Sequence, residues 1–272
     1  MVQARPTERM KFARFVQPPP KFRPMKQPRQ IVAFGGGGFS MEAGNPLLDD
    51  YVLGLAAATG GERPKVCFLP TASGDADHYV VRFYRHFAAS RCEPSHLSLF
   101  RRDCGTDDLR AHLLAQDLIY VGGGSVICLM GVLRAHRLDE ALRAAWEAGV
   151  VLCGLSAGSL CWFKEAMTGY HGTSRPIEGI GLIPASNAVH YDKEADRRPA
   201  YHLAVGVGMP GGYAVDDGAA LHFVGESLAR VVSSRPGARA YRVEAVGGEV
   251  VERPLETDYL GVLPAVEPAL AA

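Results

Sequence analysis

The chain has 272 residues, 47% of them hydrophobic, and its 29 Lys and Arg residues balance 29 Asp and Glu residues. This length allows a substantial core, and one large α/β domain is expected over residues 31–272. The even charge balance favours neither nucleic acid nor an anionic membrane as a partner. No apolar run approaches the length of a membrane span, and no secretory signal is recognised, so a cytoplasmic location is expected.

Residues 1–30 form a basic, proline-rich segment. They contain eight Lys or Arg residues against the single acid Glu8, and six prolines. This composition predicts a poorly ordered tail, with a basic docking arm as the alternative. The six cysteines of the chain form no CxxC pair, and buried free thiols are expected.

Apolar runs bounded by glycine alternate with helix-like stretches from Ile31 onward. This alternation predicts a doubly wound α/β fold, with a mostly parallel sheet and helices on both faces. The predicted strands begin near Ile31, Val66, Leu97, Leu118 and Val150, and predicted helices cover 47–58 and 138–148. Beyond Gly212, short strands punctuated by glycine turns predict an antiparallel extension at the sheet edge, with strands over 221–224, 229–233, 238–246 and 249–253.

Residues 150–160 read Val-Val-Leu-Cys-Gly-Leu-Ser-Ala-Gly-Ser-Leu and contain a G-x-S-x-G pattern centred on Ser156. The pattern lies between a buried-strand signature and a helix-like stretch, which is the context of a nucleophile elbow. Ser156 is therefore the predicted nucleophile. The amide of Ala157, at the start of the helix, is a candidate donor to an oxyanion. The alternative is a tight turn whose serine only caps a helix.

Two other glycine runs follow predicted strands. In the first, Gly123 or Gly124 could supply the second oxyanion donor, although a loop without a ligand is equally compatible with the pattern. The second, at positions 35–38, lacks both the G-x-G-x-x-G spacing and the Lys-Ser/Thr of a P-loop. Backbone proximity to the active site explains it better than nucleotide binding, and no cofactor is predicted.

An activated serine needs a base, and the base needs an orienting acid. His190 ends a short apolar run after a glycine turn and is the favoured base, with His202 and His222 as weaker alternatives. Asp216 and Asp217 stand between apolar segments, where one of them must be paired. Glu165 and Glu178 are further candidates for the acid. No His, Cys or Asp cluster has the spacing of metal ligands, so no metal is expected.

Four segments together resemble the peptidase E and cyanophycinase family of serine peptidases: 68–73 (Phe-Leu-Pro-Thr-Ala-Ser), 120–125, 154–158 with Cys161-Trp162, and 179–184 leading to His190. The resemblance implies a fold related to class I glutamine amidotransferases, with Ser156 and His190 as catalytic residues. It places the acid at Asp217, before Gly218, in the manner of aspartyl dipeptidases. A cyanophycinase-like arrangement would favour Glu178. Ser125 departs from the Asn that family members often have there.

The resemblance implies hydrolysis of small peptides such as Asp-containing dipeptides, through a Ser-His-acid triad and an acyl-enzyme. Arg197 or Arg198 would then bind a substrate carboxylate, unless both belong to a charged surface turn. A β-aspartyl peptide hydrolase, an esterase of the α/β-hydrolase type and a noncatalytic binding protein are the alternatives. The order Ser, His, acid disfavours the esterase. A glutamine amidotransferase would need Cys in place of Ser156.

Overall fold

The computed structural model describes residues 28–101, 106, 108–169 and 172–262, so most of the predicted tail, and Cys104, lie outside the described residues. The strands are β1 (Gln30–Phe34), β2 (Lys65–Leu69), β3 (Glu93–His96), β4 (Leu118–Val121), β5 (Val151–Leu155), β6 (Phe163–Thr168), β7 (Arg175–Glu178), β8 (Ile183–Val189), β9 (Gly212–Val215), β10 (Ala219–Val224), β11 (Ser227–Ser233), β12 (Ala240–Val246), β13 (Glu249–Pro254) and β14 (Asp258–Tyr259). The helices are α1 (Gly38–Met41), α2 (Leu47–Gly60), α3 (Asp77–His86), α4 (Leu109–Leu114), α5 (Val126–Ala135), α6 (Leu138–Glu147), α7 (Ala157–Leu160) and α8 (Arg197–Gly206).

The larger sheet has eight strands in the order β14-β11-β10-β1-β5-β4-β2-β3. Its half from β1 to β3 is parallel throughout. Strands β10 and β11 extend it antiparallel from β1. This confirms the predicted α/β fold with a mostly parallel central sheet.

Both faces of the parallel strands are buried, because side chains along a strand alternate between faces. Along β1, Ile31 and Ala33 belong to one apolar cluster, whereas Val32 and Phe34 belong to another. Helices α2 and α3 cover the second cluster with side chains that include Leu48 and Phe83. Each large apolar side chain buried in this way contributes roughly 1.5–3 kcal/mol to folding.

A second sheet, of six strands in the order β13-β12-β9-β8-β6-β7, was not anticipated from the sequence. Its residues Phe163, Ile183 and Val189 join the same apolar cluster as Ile31, so the second sheet packs beside α5 and α6 on one face of the first. The predicted C-terminal strands all exist, but they divide between the two sheets. Strands β10 and β11 extend the first, whereas the hairpin β12–β13 extends the second through β9.

One predicted strand is displaced. The strand expected from Leu97 lies instead at Glu93–His96, and Leu97 follows it with its amide still bonded to the Phe68 carbonyl. This strand is at the edge of the sheet, and its residues Glu-Pro-Ser-His carry no apolar signature. No helix among the described residues is both long and apolar enough to cross a membrane.

Four of the five described cysteines are buried and Cys128 is exposed, so the expectation of buried thiols fails at that position. Burial raises the pKa of Cys67 to about 12. Such thiols remain protonated and unreactive near neutral pH.

The fold brings two sets of strand ends together. The glycine run at positions 35–38 follows β1, the 122–124 turn follows β4 and Ser156 follows β5. From the second sheet, His190 follows β8 and the pair Asp216-Asp217 follows β9. Because ligands of parallel α/β folds bind at the carboxyl ends of strands, this edge is the expected location of a site.

Candidate active site

Ser156 occupies a sharp turn between β5 and α7, with φ 52° and ψ −115°. The glycines around it are required by close backbone approach. A Cβ on Gly154 would lie 2.4 Å from the Gly158 carbonyl oxygen, and a Cβ on Gly158 would lie 2.1 Å from the Val121 carbonyl oxygen. The G-x-S-x-G pattern therefore forms a nucleophile elbow, which holds the serine clear of its own backbone.

His190 lies between Ser156 and Asp217. Its Nε2 is 2.9 Å from Ser156 Oγ, and its Nδ1 is 2.6 Å from Asp217 Oδ1. With Nδ1–H donating to the carboxylate, Nε2 is left to accept the serine hydroxyl, as a general base must. The structure thus brings together the three side chains that the sequence favoured for nucleophile, base and acid.

Asp217 is fixed from two directions. Its backbone N–H donates to Asp192 Oδ1 at 2.8 Å, which ties it to the loop that carries His190. On the other side Gly36 packs so closely that a Cβ there would lie 2.1 Å from Asp217 Oδ1 and 3.1 Å from His190 Nδ1. The glycine run at positions 35–38 therefore lies against these side chains, as its lack of a nucleotide motif suggested.

The other candidate acids lie elsewhere. Asp216 turns away from His190, and its Oδ2 accepts the Arg239 N–H at 3.2 Å. Burial raises the pKa of Asp216 to about 6. Glu165 and Glu178 face each other across the β6–β7 ladder, and Glu178 is exposed.

The two candidate oxyanion donors in the turn after β4 have different surroundings. The Gly123 N–H already donates to the Tyr79 hydroxyl at 3.1 Å. Gly124, with φ 140°, lines the cleft beside Ser156 and Ala157. Among the described residues, no hydrogen-bond acceptor is found for the amide of Gly124 or of Ala157. Ser125 caps α5 by accepting the Cys128 N–H at 3.3 Å, so it serves the helix.

The cleft beside Ser156 has a volume of about 190 Å³. Arg197 forms part of its wall, with a side chain only 2% exposed. Its Nη1 donates to the Met167 carbonyl at 2.7 Å, and its Nη2 pairs with Glu194. Glu194 is a cleft residue that sequence reasoning missed. Its position three residues before Arg197 was the available signal.

Arg198 lies outside the lining of this cleft. It pairs with Glu252, and its guanidinium lies 4.5 Å from the centre of the Tyr191 ring. Successive helical residues point about 100° apart, which is why the two neighbouring arginines face different surroundings. Of the two candidate carboxylate-binding residues, the structure brings only Arg197 to Ser156.

The alternative histidines also lie outside the cleft. His202 Nε2 is 2.8 Å from Glu252 Oε2. His222 is buried between Tyr51 and Gln30, at 2.7 Å and 3.0 Å, and burial lowers its pKa to about 4. Within the described part of the chain, no three His, Cys, Asp or Glu side chains group as metal ligands.

Two solved structures share this arrangement of strands and helices. The chain is similar to a peptidase from an acI-B1 Actinobacterium, with a TM-score of 0.61 and 18% identity over 85% of this chain and 95% of that one. It is also similar to a putative peptidase E protein from Listeria monocytogenes EGD-e, with a TM-score of 0.52 and 16% identity over 84% of this chain and 100% of that one. These likenesses establish the fold.

Sequence comparison gives the family. Residues 31–231 match the model of peptidase family S51. Over 234 residues the chain is 48% identical to the uncharacterized peptidase YgaJ of Bacillus subtilis (strain 168), which covers 86% of this chain and 100% of the relative. The chain belongs to peptidase family S51 and is a serine-type peptidase. The resemblance to the peptidase E family is confirmed.

Proposed function

We propose that this peptidase hydrolyses small Asp-containing peptides through a Ser156–His190–Asp217 triad and an acyl-enzyme. The observation that carries the proposal is the continuous series of hydrogen bonds, 2.9 Å and 2.6 Å long, from the elbow serine through the imidazole to a buried carboxylate. The hydrogen bond between Asp216 and the Arg239 N–H and the exposure of Glu178 support Asp217, rather than either of these residues, as the orienting acid.

The geometry supports a two-step reaction. Ser156 Oγ attacks the scissile carbonyl while His190 Nε2 takes its proton, and Asp217 stabilises the resulting imidazolium. The amides of Ala157 and Gly124 border the cleft where the carbonyl oxygen would acquire negative charge, and we assign them the oxyanion role. His190 then protonates the leaving amine, and a water molecule activated by the same imidazole hydrolyses the acyl-enzyme.

The cleft supports a small, acidic substrate. Its volume of about 190 Å³ is below the range usual for drug-sized ligands, which favours a short peptide. Arg197 supplies a buried cation in the wall that also holds Ser156 and His190. A guanidinium there can bind an acidic side chain and place the neighbouring carbonyl over the serine.

Two measurements test the proposal. A fluorophosphonate probe should label the wild type at Ser156 and leave Ser156→Ala unlabelled and inactive, with a loss on the order of 10⁶ in turnover. A panel of Asp-Leu, Asn-Leu and β-Asp-Arg should show preference for Asp-Leu. Arg197→Ala should abolish that preference, whereas Arg198→Ala should keep it. Preference for β-Asp-Arg would reassign the substrate to β-linked peptides, and an unlabelled wild type would rule out the triad.

A further inference from the structure

The guanidinium of Arg197, which lines the cleft, is already paired with another side chain. Its buried guanidinium already has a carboxylate partner in Glu194, and its Nη1 is committed to the Met167 carbonyl. The Arg197–Glu194 pair packs against the backbone of Gly169. A Cβ at Gly169 would lie 2.9 Å from Arg197 Nη2 and 3.1 Å from Glu194 Oε2. Both Arg197 and Glu194 line the cleft that holds Ser156.

Arg197 and Glu194 differ in how far their side chains are exposed to solvent. The Arg197 side chain is 2% exposed, whereas that of Glu194 is 38% exposed. Glu194 lies in the loop between β8 and α8, where its N–H donates to the His190 carbonyl at 3.0 Å. The cation is therefore fixed in the wall, while the carboxylate can rotate toward solvent.

A substrate carboxylate cannot simply join this pair. Two carboxylates about 4 Å apart repel each other strongly inside a protein, and one guanidinium cannot compensate both while its Nη1 is occupied. Removing Glu194 without replacement would in turn leave a buried charge unpaired, which is costly. Exchange of one carboxylate for the other avoids both penalties.

We propose that Glu194 is an internal counter-ion that occupies the substrate's carboxylate position on Arg197 and that an acidic substrate displaces. This inference rests on the proposed role of Arg197. Glu194 then determines the preference for acidic substrates. A neutral substrate side chain cannot replace Glu194 on Arg197, so the ion pair stays in place and fills that part of the cleft. The occupied position also weakens binding of the correct substrate, by a factor equal to the reciprocal of the fraction of molecules in which Glu194 has left Arg197.

The test compares Glu194→Gln with Asp196→Asn. Asp196 is exposed on the same loop and accepts a hydrogen bond from Ser174 Oγ at 2.8 Å, so its variant removes an equal charge without touching Arg197. If Glu194 occupies the position about nine-tenths of the time, Glu194→Gln lowers the KM for Asp-Leu about tenfold. The inhibition constant of L-aspartate falls by the same factor, that of L-asparagine does not, and Asp196→Asn leaves all three near wild type.

A KM for Asp-Leu that rises or stays constant in Glu194→Gln overturns the inference, because Glu194 would then support Arg197 or contact the substrate directly. An equal gain in Asp196→Asn overturns it too, since a general field effect would suffice. The thermal shift produced by L-aspartate, compared between variants, shows whether folded Glu194→Gln binds the ligand more tightly. Arg197→Ala separates the two ideas: if it keeps the Asp-Leu preference, the role proposed for Arg197 itself is wrong.

Discussion

Gly36 lies so close to Asp217 that a Cβ at this glycine would be 2.1 Å from the carboxylate Oδ1. We predict that Gly36→Ala displaces Asp217 and His190 and lowers kcat/KM by about 100-fold, the size of effect expected from a misplacement of about 1 Å. Gly44→Ala is the matched control, because a Cβ there meets nothing within 4 Å. Steady-state kinetics and circular dichroism decide the matter, and a fully active Gly36→Ala enzyme would contradict the assigned geometry.

The two neighbouring aspartates should differ sharply. In Asp217→Asn the amide can donate a hydrogen bond to His190 Nδ1, which favours the tautomer with the proton on Nε2. That tautomer cannot accept the serine proton, so a loss of about 10⁴ in kcat is expected. Asp216→Asn should change kcat little, because Asp216 faces Arg239. Turnover measured for both purified variants gives the ranking. The opposite ranking would transfer the orienting role to Asp216.

The buried carboxyl group of Asp216 should make the free energy of unfolding depend on pH. Burial raises its pKa in the folded state from 3.8 to about 6, so between those values the folded protein holds a proton that the unfolded chain has lost. This contribution is favourable below pH 4 and is lost as the pH rises through 6, by at most about 3 kcal/mol. Asp216→Asn should therefore gain stability relative to the wild type as the pH rises from 4 to 7.

Urea unfolding of both proteins across that pH range checks the trend. His222, whose buried ring has its pKa lowered to about 4, titrates in the opposite sense, but it is present in both proteins and cancels in the difference. A stability difference independent of pH would show that the pKa of Asp216 is the same in the folded and unfolded states.

Tyr79 holds the turn that carries Gly124. Its hydroxyl accepts the Gly123 N–H at 3.1 Å, and a Cβ on Gly122 would lie 2.9 Å from its ring. Tyr79→Phe keeps the packing and removes that hydrogen bond, which should lower kcat about tenfold with little change in KM, because the oxyanion donor acts in the transition state.

The matched control is Tyr84→Phe on the same helix, which removes an exposed hydroxyl bonded to His96 Nδ1 at 2.8 Å. Unchanged or increased kcat in Tyr79→Phe would mean that the released Gly123 amide serves the oxyanion equally well.

The proximity of Ser156, His190 and Asp217 could be predicted because each candidate depends on local sequence. Two glycines flank Ser156, His190 ends an apolar run, and Asp217 precedes a glycine that takes φ 82°. The choice between Asp216 and Asp217 needed the resemblance as well, since alternation alone only says that they point to opposite sides.

What could not be predicted depends on contacts between distant segments. The second sheet pairs β6 with β8 and β9 with β12, and apolar runs do not reveal which strand a given strand will join. The contact between Tyr79 and Gly123 joins residues 44 positions apart for the same reason. Local pairing of Arg197 was one of the two interpretations that the charged turn allowed, but the sequence did not show that the paired residues line the cleft.

The backbone conformation of Ser156 lowers the stability of the folded protein. At φ 52° it takes a conformation that L-residues avoid and glycine adopts freely, at a cost of roughly 1–3 kcal/mol. Ser156→Gly should therefore unfold at a higher temperature than Ser156→Ala, although it deletes one carbon more, and calorimetry of the two inactive variants would measure the difference. At the proposed nucleophile, the substitution that relieves the backbone strain also removes the hydroxyl, so stability and the proposed activity oppose each other there.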